Sequence, residues 1–315
     1  MSLETLELEA QRLLASSIAA GTRSTYTTGI RNFEQFRISI GLGCLWPAPE
    51  QHVIAFIANM SLDGKAASTI DTYIAALSYK HKVNGWLDPS NNFLIKKLRE
   101  GCRRQNRNSD LRRPITIPLL RALCSSLAGI CHSSFEEALF RAAFSLAFFG
   151  FMRVGEFTAD SKMCDTCNIL ALNDLALGQD GSHLEVNIRK SKTDQCGVGT
   201  LIRIETSPYE EVCAVKNVVK FVGIRPPGEG PLFIHFGGDP LTRSQFNTVL
   251  KKGVSVIGLN PSDFSTHSFR IGAATSAALG GMSVEKIQEM GRWRSRAVNS
   301  YIRPTRVVIP GTWTT

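Results

Sequence analysis

The chain has 315 residues, of which 43% are hydrophobic and 20% are charged. This composition excludes a wholly disordered or fibrous protein, and the length is enough for two domains that each bury a core. Lysine and arginine outnumber aspartate and glutamate by 36 to 27, a formal charge of +9, which favours a polyanionic partner without specifying one.

The sequence predicts neither a membrane span nor a secretory signal. Its most apolar run, residues 138–152, is interrupted by Arg141 and is shorter than the roughly 20 residues that a spanning helix needs. Acidic residues follow the first methionine where a signal peptide would be basic and then apolar. The eight cysteines show no disulfide framework, so we expect reduced thiols in the cytosol or nucleus.

The first hundred residues are predicted to form a small helical bundle. Apolar residues recur at helical spacing from about Leu6 to Asn106, and no alternating pattern interrupts them. Hydroxyl side chains at 22–24 and at 68–69 are expected to cap two of the helices.

A basic segment follows and predicts a linker at residues 106–117 that lies on a phosphate backbone. A solvated helix end and loop is the alternative. The residues expected to contact DNA are Lys96, Lys97, Arg103, Arg104, Arg107, Arg112 and Arg113.

From Pro118 onward the pattern predicts a mainly helical α+β domain. Residues Leu184–Arg189 and Thr200–Glu205 alternate polar and apolar side chains, as strands do, and the polar stretch 190–199 between them is a predicted hairpin tip. The predicted helices are Leu119–Leu127, Phe135–Phe149, Val212–Val222, Arg243–Val256, His267–Leu279 and Val284–Met290.

Two clusters place an arginine beside an acid or a histidine. An arginine in the apolar stretch 149–156 needs a partner, so Glu156 is expected to hold Arg153 on one helical face. A purely structural ion pair is the alternative. The i, i+3 spacing directs His267 and Arg270 the same way, although a lone histidine is more often a satisfied surface or core residue. Gly272, Ala273 and Ala274 are expected to permit close approach of another helix or backbone.

A third cluster contains a tyrosine near the end of the chain. Gly291 is expected to end one helix and Ser295 to cap the next, which carries Tyr301. A phenol has a pKa of about 10 and becomes a nucleophile only beside a base or strong cations. Packing in the core is the commoner role of a single tyrosine.

Together these side chains suit phosphodiester transfer through a phosphotyrosine. Two guanidiniums can bind the non-bridging oxygens where the transition state gains charge. Lys192 can protonate a departing sugar alkoxide, and His267 can move a proton or hold a phosphate oxygen. Guanidiniums can replace a Lewis acid, so no metal or other cofactor is expected.

On these motifs the chain resembles the tyrosine recombinases, the family of phage integrases, Xer proteins, Cre and the recombinases of DIRS-type and Crypton-type eukaryotic elements. The resemblance covers nearly the whole chain. It implies a SAM-like helical core-binding domain that clamps DNA, residues 1–105, and a catalytic α+β domain with a small antiparallel sheet, residues 118–315. The positions that match are the first arginine Arg153 with its acid Glu156, the hairpin lysine Lys192, the His-x-x-Arg pair His267 and Arg270, Trp293 in the place of a family histidine or tryptophan, and the nucleophile Tyr301.

The resemblance implies a site-specific recombinase or integrase that cuts and rejoins double-stranded DNA through a 3′-phosphotyrosyl intermediate and assembles with copies of itself on DNA, away from membranes. A topoisomerase-like nicking and resealing enzyme and a domesticated, inactive DNA-binding protein are the alternatives. The motifs Ser-Lys-Thr-Asp-Gln and Gly-Arg-Trp resemble those of the eukaryotic elements, which predicts a transposable element and the nucleus. A bacterial chain would be cytoplasmic.

The chain departs from the family pattern at three points. Lys190 shares the hairpin with Lys192, so either is a candidate for the acid. The interval from Trp293 to Tyr301 is one residue shorter than in Cre. Residues 302–315 contain two prolines and disfavour the long C-terminal helix that docks onto a neighbouring subunit in well-known members.

Cys164-x-x-Cys167 lacks a second ligand pair at zinc spacing and predicts no metal site.

Overall fold

The computed structural model describes residues 2–105, 111–163, 166–191, 194 and 197–303. The chain divides into two compact units, Met1–Asp110 and Leu111–Thr315. Within the described ranges, no helix is both long enough and apolar enough to cross a membrane.

The first unit is helical, as its apolar stripes predict. Its core is formed by side chains such as Phe33, Phe56 and Ile70, which are almost completely buried. The predicted hydroxyl caps are wrong, because the second and fourth helices follow Ala19 and Ala66 and have no side-chain cap. The helices are α1 (Leu3–Ser16), α2 (Ala20–Ser39), α3 (Glu50–Leu62), α4 (Ala67–Val83) and α5 (Phe93–Gln105).

The second unit is α+β, with helices around one small sheet. The helices are α6 (Ile117–Ser126), α7 (Ser134–Phe149), α8 (Ala214–Ile224), α9 (Arg243–Val256), α10 (Ser268–Leu279) and α11 (Val284–Met290), and the strands are β1 (Leu175–Leu177), β2 (His183–Ile188) and β3 (Thr200–Glu205). Helix α7 buries nearly every residue from Ala138 to Phe148 and packs against α8 and α10. It therefore forms the centre of the core.

The sheet is antiparallel in the order β1-β2-β3, with Leu184 opposite Leu177 on one side and Ile204 on the other. The two longer strands are the predicted ones. Strand β1 was not predicted, because its three residues are too few to show an alternating pattern.

The start of the second unit is hydrogen-bonded within that unit. The backbone N–H of Arg113 donates to the carbonyl of Asp263 at 2.7 Å, and that of Ile115 donates to the carbonyl of Ser268 at 3.0 Å. The predicted linker, residues 106–117, overlaps the second unit from Leu111 onward and stays a prediction. Residues 106–110 lie outside the described part of the chain.

Candidate active site

Arg153 and Glu156 form an ion pair just after the central helix. Helix α7 ends at Phe149, and Arg153 precedes a single 3₁₀ turn, Val154–Glu156. The Glu156 carboxylate accepts from the Arg153 backbone N–H at 2.9 Å and from its Nη1 at 3.0 Å. The pair is confirmed, but the predicted shared helical face is wrong: the acid caps the turn that the arginine begins.

Helix α10 carries the second arginine and is preceded immediately by His267. The Arg270 side chain is completely buried. Its Nη1 donates to the carbonyl of Phe151, and its Nη2 donates to the carbonyl of Gly291 at 2.8 Å. Two backbone carbonyls from distant parts of the chain thus fix this guanidinium, while its Nε meets no acceptor among the described residues.

Close packing of α10 depends on Gly272, two residues beyond Arg270. A Cβ atom at this glycine would lie 1.8 Å from the carbonyl oxygen of Ile115. Gly272 therefore permits the close backbone approach that was predicted for it. The contact ties the helix that carries Arg270 to the start of the second unit.

A tight turn after α11 places an arginine and a tryptophan in the site. Gly291 ends the helix, and Arg292 follows with φ 55°, a left-handed conformation. The Trp293 ring folds back over the glycine, where a Cβ would lie 1.6 Å from its Cζ3 atom. The ring centroid is 4.6 Å from Cζ of Arg270, a cation–π distance.

Tyr301 comes directly after the 3₁₀ turn Arg296–Ser300, which Ser295 caps. The predicted Ser295 cap is confirmed, but the element is a short turn and not a helix that carries the tyrosine. Buried Thr275 of α10 donates its hydroxyl to the carbonyl of Tyr301 at 3.2 Å and accepts from the N–H of Arg303 at 3.1 Å. These bonds fix the tyrosine backbone on α10.

The Tyr301 hydroxyl lies 2.7 Å from Nε2 of His267. Its ring centroid is 4.7 Å from that of Trp293 and 5.7 Å from Cζ of Arg270. The phenol therefore contacts an imidazole that can take its proton, and it stands beside a buried cation. Four candidate residues that are separate in the sequence meet at this point.

The site contains an excess of positive charge. Glu156, with 3% of its side chain exposed, binds Arg153 and also accepts from Nη2 of Arg292 at 2.7 Å. Burial, together with repulsion from Arg153, lowers the pKa of Arg270 to about 9, so it remains protonated at neutral pH. Burial also lowers the pKa of Arg292. Cations that are desolvated in this way favour an anionic ligand.

Sequence reasoning missed Arg292 as a site residue. Its neighbours Gly291 and Trp293 were both singled out, but nothing local shows that the side chain between them reaches Glu156. An arginine next to a helix-ending glycine, just before a candidate nucleophile, was the available signal.

The hairpin lysine stays a prediction. Lys192 lies outside the described residues, and Lys190 stands two positions after the end of β2. The Asp194 carboxylate accepts from the backbone N–H groups of residues 197–199, which lowers its pKa. The choice between Lys190 and Lys192 is not settled by these contacts.

The seven basic residues predicted to contact DNA fall in different parts of the chain. Lys96, Lys97, Arg103 and Arg104 are exposed on α5, Arg107 lies outside the described residues, and Arg112 and Arg113 belong to the second unit. On α5, Lys97 pairs with Glu100 at 2.9 Å and Arg103 with Asp71 at 2.8 Å. Contact of these arginines and lysines with DNA stays a prediction.

For the Cys-x-x-Cys motif, Cys164 is outside the described residues and Cys167 is exposed. Across the ranges that the structure covers, no three histidine, cysteine, aspartate or glutamate side chains form a group that could hold a metal ion.

The second unit is mainly helical with one small sheet, and in it His267, Trp293 and the buried Arg270 lie around Tyr301. Residues 183–306 match the model of the phage integrase family. This match covers the C-terminal part of the chain, which is similar to the phage integrase family. Arg153 and Glu156 precede the matched range, and the structure alone joins them to the other site residues.

A curated protein is similar in sequence, and solved structures are similar in fold. The chain is 27% identical over 315 residues to an integrase/recombinase xerD homolog of Selenomonas ruminantium, covering 95% of this chain and 86% of the relative. Its fold is similar to that of the XerH site-specific recombinase bound to difH substrate, with a TM-score of 0.65, 16% identity and coverage of 88% and 75% of the two chains.

Two further structures extend the likeness in fold. The Tn1549 transposon integrase in complex with circular intermediate DNA has a TM-score of 0.62 and 14% identity, over 96% of this chain and 95% of that one. A lambda integrase dimer bound to a core site has a TM-score of 0.62 and 18% identity, over 100% and 99% of the two chains.

Proposed function

We propose that this protein is a site-specific DNA recombinase that cuts and rejoins strands with Tyr301 as its nucleophile. The observation that carries the proposal is the 2.7 Å contact between the Tyr301 hydroxyl and Nε2 of His267, beside the buried cation of Arg270. A phenol becomes nucleophilic when a base takes its proton and nearby cations stabilise the phenolate. The family match and the similar recombinases support this role.

The proposed cleavage step exchanges one phosphodiester for another. The Tyr301 oxygen forms a bond to the scissile phosphorus as its proton passes to His267, and the bond from phosphorus to the 5′ oxygen breaks. That oxygen takes a proton from the hairpin lysine, Lys192 or Lys190. Arg153 and Arg270 stabilise the charge on the non-bridging oxygens, and Trp293 packs against the attacking ring.

Rejoining reverses the same step with a 5′-hydroxyl of a partner strand. Because the 3′-phosphotyrosyl link conserves the energy of the broken bond, no nucleotide cofactor is needed. Exchange between two duplexes requires more than one nucleophile, so we propose that copies of the chain assemble on double-stranded DNA. The exposed basic side chains of α5 bind its backbone. Residence in a transposable element and in the nucleus stay predictions from motif style.

The test is a pool of nicked duplexes with a randomised core, in which cleavage releases a short fragment and traps the covalent complex. We expect a denaturation-resistant protein–DNA adduct with the wild-type protein and none with Tyr301→Phe. Sequencing the trapped DNA identifies the target. If neither the wild type nor Tyr301→Phe forms an adduct with any member of the pool, the proposed reaction is wrong. The remaining candidate would then be a DNA-binding protein without strand cleavage.

A second measurement separates recombination from topoisomerase-like resealing. Two labelled duplexes that carry the trapped sequence are incubated together with the protein. Hybrid products joined from both labels support recombination. Relaxation of a supercoiled plasmid that bears the sequence, without hybrid products, would favour nicking and resealing alone.

A further inference from the structure

We infer that Arg292 is a positioning residue of the active site: it shares the Glu156 carboxylate with Arg153 and the Phe151 carbonyl with Arg270, and so holds both phosphate-binding arginines in place. This inference deepens the proposed function and rests on it. Arg292 is distinct from the matched family positions, which place Trp293 between the His-x-x-Arg pair and the tyrosine.

The backbone at Arg292 adopts an energetically unfavourable conformation. The N–H of Arg292 donates to the carbonyl of Glu289 at 2.9 Å, and the N–H of Trp293 donates to that of Gln288 at 3.0 Å. These two bonds form the helix-ending motif whose left-handed position normally belongs to glycine. Here the glycine stands one residue earlier, at 291, and Arg292 takes the left-handed conformation with φ 55°.

Such a conformation is unfavourable for a residue with a side chain and persists where its surroundings hold it. The position before it requires glycine, because the Trp293 ring occupies the space of a Cβ at Gly291. The turn therefore directs the tryptophan over Arg270 and the arginine toward Glu156. One short segment thus supplies contacts to both sides of the cluster.

The contacts of Arg292 reach residues more than 130 positions away. Its Nη2 lies 2.7 Å from Oε2 of Glu156 and 3.3 Å from the Phe151 carbonyl oxygen. Glu156 uses its other oxygen, Oε1, for Nη1 of Arg153 at 3.0 Å. The Phe151 carbonyl also accepts from Arg270. Arg292 is therefore bonded to one partner of each phosphate-binding arginine.

The electrostatic role follows from this sharing. Without Arg292, the buried carboxylate has Arg153 as its remaining hydrogen-bonded guanidinium and binds it more strongly. Arg153 is then less available to a phosphate oxygen. At the same time the Phe151 carbonyl loses one of two donors, so the segment that holds Arg270 is less constrained. With 8% of its side chain exposed, Arg292 makes these contacts away from bulk solvent, where they are strong.

The experiment measures the rate at which Arg292→Gln forms the covalent protein–DNA adduct, with Arg294→Gln as control. The substrate is the nicked duplex identified by trapping, at a saturating concentration. Arg294 is an exposed arginine two residues further along the same turn, so its loss matches the change in charge. We expect Arg292→Gln to lower the rate on the order of 100-fold, the effect of a misplacement of about 1 Å, with DNA affinity unchanged. Arg294→Gln should keep the wild-type rate.

A double-mutant cycle with Glu156→Gln separates positioning from a structural role. If Arg292 acts through the carboxylate, Arg292→Gln costs much less in the Glu156→Gln background than in wild type. Additive effects, or a wild-type rate in Arg292→Gln, overturn the inference. If Arg292→Gln does not fold, Arg292→Lys is measured in its place. Lysine keeps the positive charge but lacks the branched guanidinium group, so we expect a rate between those of wild type and Arg292→Gln. A wild-type rate in Arg292→Lys would contradict the inference.

These outcomes are distinguishable from failure of the proposed function. Absence of any adduct with the wild-type protein contradicts the recombinase itself. A normal wild-type adduct, with Arg292→Gln indistinguishable from it, contradicts the positioning role alone.

Discussion

Replacing Gly272 with alanine tests how the second unit positions Arg270. The added Cβ would lie 1.8 Å from the carbonyl oxygen, 2.4 Å from the carbonyl carbon and 2.8 Å from the nitrogen of Ile115. All three are backbone atoms, so no side-chain rotation can relieve the clash. Restoring an ordinary contact of 3.4 Å requires α10 and the segment at Ile115 to separate by about 1.6 Å.

This displacement has a calculable effect on the free energy of unfolding. Overpacking of this kind costs about 1–3 kcal/mol, and weakening the bond from Ile115 N–H to the Ser268 carbonyl adds about 1 kcal/mol. The higher helix propensity of alanine offsets about 1 kcal/mol. The net destabilisation is therefore about 1–3 kcal/mol, or roughly 2–4 °C in the unfolding midpoint for each kcal/mol in a unit of this size.

The assay is thermal unfolding of the full chain, with Gly223→Ala as control. Gly223 lies in α8 of the same unit, and a Cβ there meets nothing within 4 Å, so its substitution should not lower the midpoint. A shift of α10 also moves Arg270 away from the carbonyls that fix it, so Gly272→Ala should form adduct more slowly. If Gly272→Ala unfolds at the wild-type temperature and cleaves at the wild-type rate, the close contact does not position Arg270.

Three further predictions concern the site and its DNA contacts. Gly291→Ala should displace the Trp293 ring, because a Cβ would lie 1.6 Å from its Cζ3 atom. We expect adduct formation to slow by at least roughly tenfold, with an unchanged far-ultraviolet circular dichroism spectrum. A wild-type rate would contradict the packing of the Trp293 ring against Gly291. Inorganic sulfate should raise the unfolding midpoint of the wild type more than that of Arg153→Gln, since an anion at 100 times its Kd stabilises the folded protein by about 2.7 kcal/mol. Equal shifts would show that Arg153 binds no anion. Lys96→Ala and Arg104→Ala, on exposed positions of α5, should each reduce the slope of log DNA affinity against log salt concentration by about 0.9. The control Lys216→Ala on α8 should leave the slope unchanged. An unchanged slope in both α5 variants would exclude this helix from the DNA interface.

The parts of the fold that were predicted are those with local signals. The two longer strands show their alternation over six residues each, and His267 and Arg270 show their helical spacing within four. Strand β1 has three residues and depends on pairing with β2, so no local pattern indicates it. The first caps failed for a related reason: nearby hydroxyls favoured a start that the packing of α2 and α4 did not adopt.

The site shows the same division. Arg153 and Glu156 were paired correctly because they are three residues apart, but their 3₁₀ turn depends on how the chain leaves α7 at Phe149. Arg292 was missed because its partner is 136 positions away. A contact at that separation is set by tertiary packing, which spacing does not encode. The hairpin choice between Lys190 and Lys192 stays open because Lys192 lies outside the described residues.

The way the arginines are held bears on the proposed binding of a DNA phosphate. Backbone carbonyls of Phe151 and Gly291 accept from Arg270, and in the described contacts one carboxylate, Glu156, is shared by Arg153 and Arg292. Carbonyl dipoles orient a guanidinium without cancelling its charge, so the cluster stays cationic although it is buried. Burial of uncompensated cations destabilises the folded chain. In the proposed function, a phosphate that enters the cluster removes this penalty and binds where its non-bridging oxygens gain charge in the transition state. The orientation that costs stability in the free protein is therefore the one that we propose stabilises the reaction.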